Sequence, residues 1–83
     1  MPVRSAQQLG DALARIRGLR GRTQTELARD AGIRQATISS VEAGARGTEL
    51  WTVFSLLAAL DLELVVRERV ARPVPLPPRG ENG

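Results

Sequence analysis

Apolar residues recur along the chain at the three- and four-residue spacing that is typical of helices packed on a common core. Ser5 is a candidate N-cap, and Leu9, Leu13 and Ile16 follow it on one face of a first helix. Gly10 lies inside this helix. A glycine there destabilises the helix by about 1 kcal/mol relative to alanine, unless close packing requires it. The pattern predicts a first helix that begins near Ser5.

Two shorter helices are predicted next, separated by a tight turn. Thr23 and Glu26 have the T-x-x-E spacing of a capping box at the start of the second helix. Gly32 allows the positive φ of a sharp helix exit, and a third helix is predicted from about Gln35 to Ala43, stopped by Gly44. The side chains expected to face the core from these helices and the turn are Leu27, Ala28, Ala31, Ile33, Ile38 and Val41.

A fourth helix is predicted after Thr48, which is the expected cap. Trp51 lies off the predicted buried face, so it is either exposed or part of a subunit interface. The residues predicted to form that face are Leu50, Val53, Phe54, Leu57 and Leu60.

The hydrophobic period changes to two after this helix, which is typical of a half-buried strand. Leu62, Leu64 and Val66 share one side of the segment. Because no second strand is predicted, the backbone groups of this one would stay unpaired. We therefore expect residues 62–70 to pair antiparallel with the same strand of another copy. A helix extension or an irregular tail is the alternative.

The pattern thus predicts a mainly α fold: four to five helices in a compact domain over residues 1–61, then one dimerisation strand. Residues 71–83 contain four prolines, and we expect a disordered tail, with a proline-rich docking peptide as the alternative.

Charge is distributed unevenly along the chain. All twelve basic residues are arginines. Residues 1–48 contain eight arginines and four acids, a net charge of +4, whereas residues 49–83 contain four arginines and five acids, a net charge of −1. The positive charge therefore accompanies the pair of short helices, as a phosphate-binding surface would require. A solvated arginine-rich surface is the alternative explanation.

The chain has no cysteine and no histidine, which removes thiol and imidazole chemistry and the usual zinc ligands. It also has no glycine-rich phosphate loop and no paired carboxylates on one face. We expect a protein that is not an enzyme, with no catalytic residues, no cofactor and no metal. No apolar run approaches the roughly 20 residues of a membrane span, so we expect a cytoplasmic protein, which would be nucleoid-associated if it binds DNA.

The outward side chains of the third helix are of the kind that contact base edges in a DNA major groove. Glutamine can bond adenine in a bidentate manner, alanine can touch a thymine methyl, and serine hydroxyls can bond bases. The predicted base-reading residues are Gln35, Ala36, Ser39 and Ser40. The predicted phosphate-binding residues, which flank or accompany them, are Gln24, Arg34, Thr37 and Arg46.

The segment TQTELARDAGIRQATISSVEAG, from Thr23 to Gly44, resembles the helix-turn-helix of the Cro/C1-type (XRE-like) repressor family. Two shorter segments, GIRQATIS and LDLELVV, are most similar to the HipB antitoxin branch of HipA/HipB toxin–antitoxin modules. The resemblance implies a lambda-repressor-like domain that binds operator DNA as a homodimer, with the terminal strands of two subunits paired as a small β-lid. It also implies a HipA-like kinase toxin as partner, and a structural ion pair between Arg17 and Glu42.

The leading hypothesis is therefore a sequence-specific transcriptional repressor that acts as the antitoxin of a type II HipBA-like module and autoregulates its operon. A stand-alone XRE-type regulator without a toxin partner is the alternative, and an interaction domain that does not bind DNA is a third possibility. The family often has serine or threonine as the helix cap at the position of Arg34, where this chain has a basic residue.

Overall fold

The computed structural model describes residues 2–69, and it contains four helices. They are α1 (Ala6–Leu19), α2 (Gln24–Ala31), α3 (Gln35–Glu42) and α4 (Leu50–Ala59). Helix α3 packs against both α1 and α2, and α4 packs against α2. The predicted mainly α fold is confirmed for this part of the chain, while the predicted tail over residues 71–83 lies outside it. None of the four helices has the length and hydropathy that a membrane crossing requires.

The start of α1 and both ends of α2 are determined by the predicted caps. The hydroxyl of Ser5 accepts a hydrogen bond from the backbone N–H of Gln8 at 3.0 Å. Thr23 and Glu26 form the capping box, because the Glu26 N–H donates to the Thr23 hydroxyl at 3.0 Å and the Thr23 N–H donates to the Glu26 carboxylate at 2.9 Å. Gly32 ends α2 with a φ of +69°, so these three predictions are confirmed.

The predicted cap of α4 is wrong by one residue. Glu49, not Thr48, is the N-cap, and its side chain makes no capping hydrogen bond. The Thr48 hydroxyl instead donates to the carbonyl oxygen of Ala45 at 3.3 Å. The threonine therefore stabilises the loop before α4 rather than the first turn of the helix.

The core is aliphatic and lies between the four helices. Its least accessible side chains are Leu27, Ile38, Leu56 and Leu60. The predicted buried face of α4 is wrong at two positions, because Leu50 is 63% and Phe54 is 47% exposed. Nearly every position of α4 is apolar, so periodicity alone could not decide which face is buried.

Helix α1 approaches α3 closely at Gly10. A Cβ atom at this position would overlap the carbonyl oxygen of Val41 and come within 2.9 Å of the carbonyl oxygen of Glu42. Close packing therefore explains a glycine in the middle of α1.

The predicted dimerisation strand is not confirmed. Asp61 adopts a left-handed φ of +56° after the α4 cap, and residues 62–69 form neither helix nor strand. The N–H of Leu62 donates to the Leu57 carbonyl at 2.7 Å, and its side chain packs against the core. The helix extension is thus excluded for residues 62–69, and pairing between two copies remains a prediction.

Candidate nucleic-acid interface

Helix α3 separates a buried face from a polar outward face. Ile38 and Val41 are buried in the core. The four residues predicted to read bases are all exposed on the same helix: Gln35, Ala36, Ser39 and Ser40. Because two of its positions are held in the core, α3 presents this polar face in one orientation.

The predicted phosphate-binding residues surround this face unequally. Arg34 is the N-cap of α3 and is exposed, Arg46 is exposed in the loop after α3, and Thr37 is half-buried. The start of α3 and this loop border an open groove of about 670 Å³, which Arg34, Thr37 and Ser40 line together with Trp51. The structure thus brings these three polar side chains to one concave surface, which the loop after α3 lines with Ala45 and Gly47 rather than with Arg46.

The first turn of α3 has no side-chain cap. Arg34 has extended backbone angles, φ −69° and ψ 142°, and its side chain makes no hydrogen bond to the helix. The unpaired N–H groups at this helix start and the arginine charge beside them both favour an anion. The missing cap is therefore consistent with a phosphate contact at this end of α3.

An ion pair anchors the opposite end of α3 to α1. Arg17 Nε donates to Glu42 Oε2 at 2.7 Å, and Arg17 Nη2 donates to Glu42 Oε1 at 3.0 Å. The third guanidinium nitrogen, Nη1, donates to the carbonyl oxygen of Arg22 at 2.8 Å. The two side chains are 19% and 9% exposed. This bidentate pair is structural, because it holds α3 against α1 and the loop before α2.

The environment of Glu42 keeps it ionised. Burial raises the pKa of the Glu42 carboxyl, but hydrogen bonds from Arg17 and Gln24 and the charge of Arg17 outweigh burial, and the net pKa is lowered. The hydrogen bond with Glu42 likewise raises the pKa of Arg17. Both partners are therefore charged at neutral pH.

Gln24, which the sequence analysis placed at a phosphate, bridges α2 and α3. Its Nε2 donates to Glu42 Oε1 at 2.9 Å, and its Oε1 accepts a hydrogen bond from Gln35 Nε2 at 2.7 Å. This chain of hydrogen bonds was not predicted from the sequence. The spacing of Gln35 and Glu42, seven residues apart on one helix, was the available signal, because it places both on one face.

The sequence of this chain is similar to those of known helix-turn-helix proteins. A helix-turn-helix family model matches residues 13–66. Antitoxin HipB of Escherichia coli strain K12 is 41% identical over 64 residues, which cover 77% of this chain and 73% of the relative.

Two solved structures are similar in fold as well as in sequence. One is described as the HipA-HipB-O2-O3 complex and the other as the HipB-O4 20mer complex. Each matches with a TM-score of 0.78 and 38% identity, over 82% of this chain and 96% of the other chain. The residues matched by the family model include α2, α3 and α4, and hence every candidate DNA-contact residue from Gln24 to Arg46.

Proposed function

We propose that this chain, which belongs to the helix-turn-helix family and is a HipB-type protein of that family, represses transcription by binding operator DNA as a homodimer. The observation that carries the proposal is the exposed polar face of α3, which the core and the Arg17–Glu42 pair hold in place. A recognition helix must present such a face to a major groove.

The side chains of α3 divide into two roles in this proposal. Gln35 reads a base through its amide, and Ala36, Ser39 and Ser40 contact neighbouring base edges. Arg34, Thr37 and Arg46 bind phosphates around the groove and set the register of the helix, and Gln24 adds a phosphate contact from the start of α2. Both roles are compatible with the exposure of the α3 side chains and of the loop after it.

The proposed homodimer predicts the symmetry and the half-site spacing of the operator. Two copies related by a two-fold axis would place their α3 helices in successive major grooves, about 34 Å or a multiple apart. The expected operator is therefore a pseudo-palindrome, and autoregulation places it upstream of the gene that encodes this chain.

DNase footprinting of the purified protein on that upstream DNA tests the proposal. We expect protection of two half-sites at low salt, with affinity that falls as salt is raised because arginines displace counterions from phosphates. Equal, unspecific protection of the upstream DNA and of a shuffled sequence would overturn the proposal.

Two substitutions separate the base-reading role from the phosphate-binding role. Gln35→Ala is expected to weaken operator binding by roughly 1–3 kcal/mol and to relax base preference at one position per half-site. Arg46→Ala is expected to weaken binding to all sequences alike and to flatten the salt dependence. Fluorescence anisotropy with operator variants measures both effects, and equal loss of base preference in the two variants would contradict the division of roles.

We further propose that the chain is the antitoxin of a HipA-like kinase toxin with which it shares an operon. The support is its similarity to HipB, which occurs with HipA in the solved complex. Co-expression with a kinase encoded next to this chain, followed by gel filtration, tests the pairing. Absence of such a neighbouring gene, or failure to co-elute, would leave a stand-alone transcriptional regulator, which the same α3 face supports.

A further inference from the structure

We propose that Glu42 fixes the direction of the Gln24–Gln35 amide pair and so determines which base Gln35 prefers, although Glu42 itself contacts no DNA. This inference rests on the proposed DNA-binding function and adds a positioning residue to it. It starts from the hydrogen bonds that join the half-buried Glu42 carboxylate to the exposed side chain of Gln35 through Gln24.

The first step is the direction of the Gln24 amide. An ionised carboxylate only accepts hydrogen bonds, so Gln24 must turn its NH2 group toward Glu42, as the 2.9 Å bond from Nε2 to Oε1 shows. Rotating the amide by half a turn would place its carbonyl oxygen against the carboxylate. The charge of Glu42 therefore excludes one of the two amide orientations of Gln24.

The second step transfers this direction to Gln35. Because the NH2 end of the Gln24 amide faces Glu42, its oxygen end faces Gln35, and an oxygen accepts. Gln35 must then turn its own NH2 group toward Gln24, as in the 2.7 Å bond between them. A side chain that is exposed on the DNA-facing surface thus takes its orientation from a carboxylate whose side chain is only 9% exposed.

The third step is the hydrogen-bonding pattern that Gln35 presents to DNA. One N–H of Gln35 is used by Gln24, which leaves the second N–H as a donor and the oxygen as an acceptor. This pair matches the N7 acceptor and N6 donor of adenine, with donor and acceptor at fixed positions along the groove. A freely rotating amide could exchange the two positions, whereas the held amide favours one.

The Glu42 anchor is rigid enough to act in this way. Arg17 binds both carboxylate oxygens and is itself tied to the Arg22 carbonyl. The orientation of Gln35 is therefore set before DNA arrives, which lowers the loss of side-chain entropy on binding.

The experiment compares base preference in variants of the full-length protein. Affinity is measured for the operator and for its three substitutions at the base pair that Gln35→Ala identifies as its own. Glu42→Gln can donate as well as accept, so it removes the directional constraint at nearly constant shape. We expect this variant to reduce the preference at that base pair by about fivefold or more, the lower end of what a bidentate contact discriminates.

Two further variants separate positioning from stability. Gln24→Met cuts the chain of amides while leaving the ion pair, and we expect a similar loss of preference that does not add to that of Glu42→Gln. Arg17→Met removes the ion pair but leaves the Glu42 carboxylate as an acceptor, and we expect reduced thermal stability with a smaller loss of preference than in Glu42→Gln. All ratios are measured below the unfolding transition of each variant, which circular dichroism establishes.

The outcomes distinguish this inference from the proposed function. If the unmodified protein shows no site preference, the proposed function fails. If Gln35→Ala relaxes the preference and Glu42→Gln leaves it unchanged, the function stands and the positioning role is wrong. Equal losses of preference in Arg17→Met and Glu42→Gln would also overturn the inference, since they would indicate a general structural effect.

Discussion

At the scale of single residues, Glu42 makes the stability of this chain dependent on pH. Its pKa is lowered below the ordinary value of 4.5 after burial is outweighed by the bonds from Arg17 and Gln24. The folded state therefore binds fewer protons than the unfolded state near that pH, and the stabilisation is complete above about pH 4.5 and lost as the pH falls through the folded pKa.

We expect the free energy of unfolding to decrease below about pH 4.5 more steeply in the unmodified protein than in Glu42→Gln. Urea unfolding followed by circular dichroism between about pH 3 and pH 7 measures the difference. The comparison isolates Glu42 from Glu26, whose pKa is also lowered, first by the Thr23 backbone N–H. Parallel curves for the two proteins would show that the ion pair does not contribute in this way.

Gly10 leads to a second prediction at this scale. Gly10→Ala places a Cβ against the backbone carbonyls of Val41 and Glu42, which cannot move without shifting α3. We expect a loss of roughly 1–3 kcal/mol in unfolding free energy, as for other overpacked sites. Gly18→Ala is the matched control, because Gly18 lies in the same helix and a Cβ added there meets nothing within 4 Å. It should stabilise by up to about 1 kcal/mol, and equal effects of both changes would contradict the close approach of α1 and α3.

The candidate site was predictable residue by residue only in part. The outward positions of α3 follow from helical periodicity, because Ile38 and Val41 are apolar among polar neighbours. The bond from Gln24 to Glu42 depends instead on how α2 packs against α3. No local pattern encodes that distance, and Gln24 was therefore predicted only as a phosphate contact.

At the scale of elements, α2 and α3 begin differently. This difference predicts that a substitution at the start of α3 can raise stability while it lowers DNA affinity. α2 has a capping box, whereas α3 starts at Arg34 without a side-chain cap. Arg34→Ser would supply a hydroxyl to the free N–H groups, and we expect a gain of about 0.5–1 kcal/mol in unfolding free energy. Operator affinity should fall, because the positive charge beside the α3 start is lost.

Arg34→Ala is the control for that substitution, since it removes the charge without adding a cap. Serine should exceed alanine in thermal stability, and both should bind DNA more weakly than the unmodified protein with a smaller salt dependence. Undiminished affinity in both variants would remove Arg34 from the proposed phosphate contacts.

Helix boundaries and helix faces differed in how well the sequence predicted them. The starts of α1 and α2 were predicted because their caps are local interactions over three residues. The buried face of α4 was not, because leucine, valine and phenylalanine occur on several sides of that helix. Only packing against α2 decides that Leu56 is buried and that Leu50 is exposed.

At the scale of the whole molecule, the described residues leave large apolar side chains in contact with solvent. Three of them lie on α4: Leu50, Trp51 and Phe54 are 63%, 59% and 47% exposed. Leu64, Val65 and Val66 in the predicted strand are 54%, 70% and 85% exposed. Such exposure in a small chain is expected where another molecule covers it, and a second copy of this chain is the covering molecule that we propose and test.

Two truncations test whether residues 63–70 form the dimer. Ending the chain after Leu62 keeps that side chain in its own core, where its N–H bonds Leu57, and removes the predicted strand with Leu64 and Val66. We expect this variant to be a monomer by light scattering. It should keep its helical circular dichroism, because within the described residues 2–69 the core and the side chains packed against it end at Leu62.

The control truncation removes only residues 71–83, and we expect it to remain a dimer, with about twice the monomer mass. Operator binding should follow the same division, because a monomer loses the joint contact of two half-sites, whereas the control keeps it. A dimer in both truncations would exclude the paired strand and leave the apolar face of α4 as the contact between copies. A monomer in both would require residues beyond 70 for dimerisation.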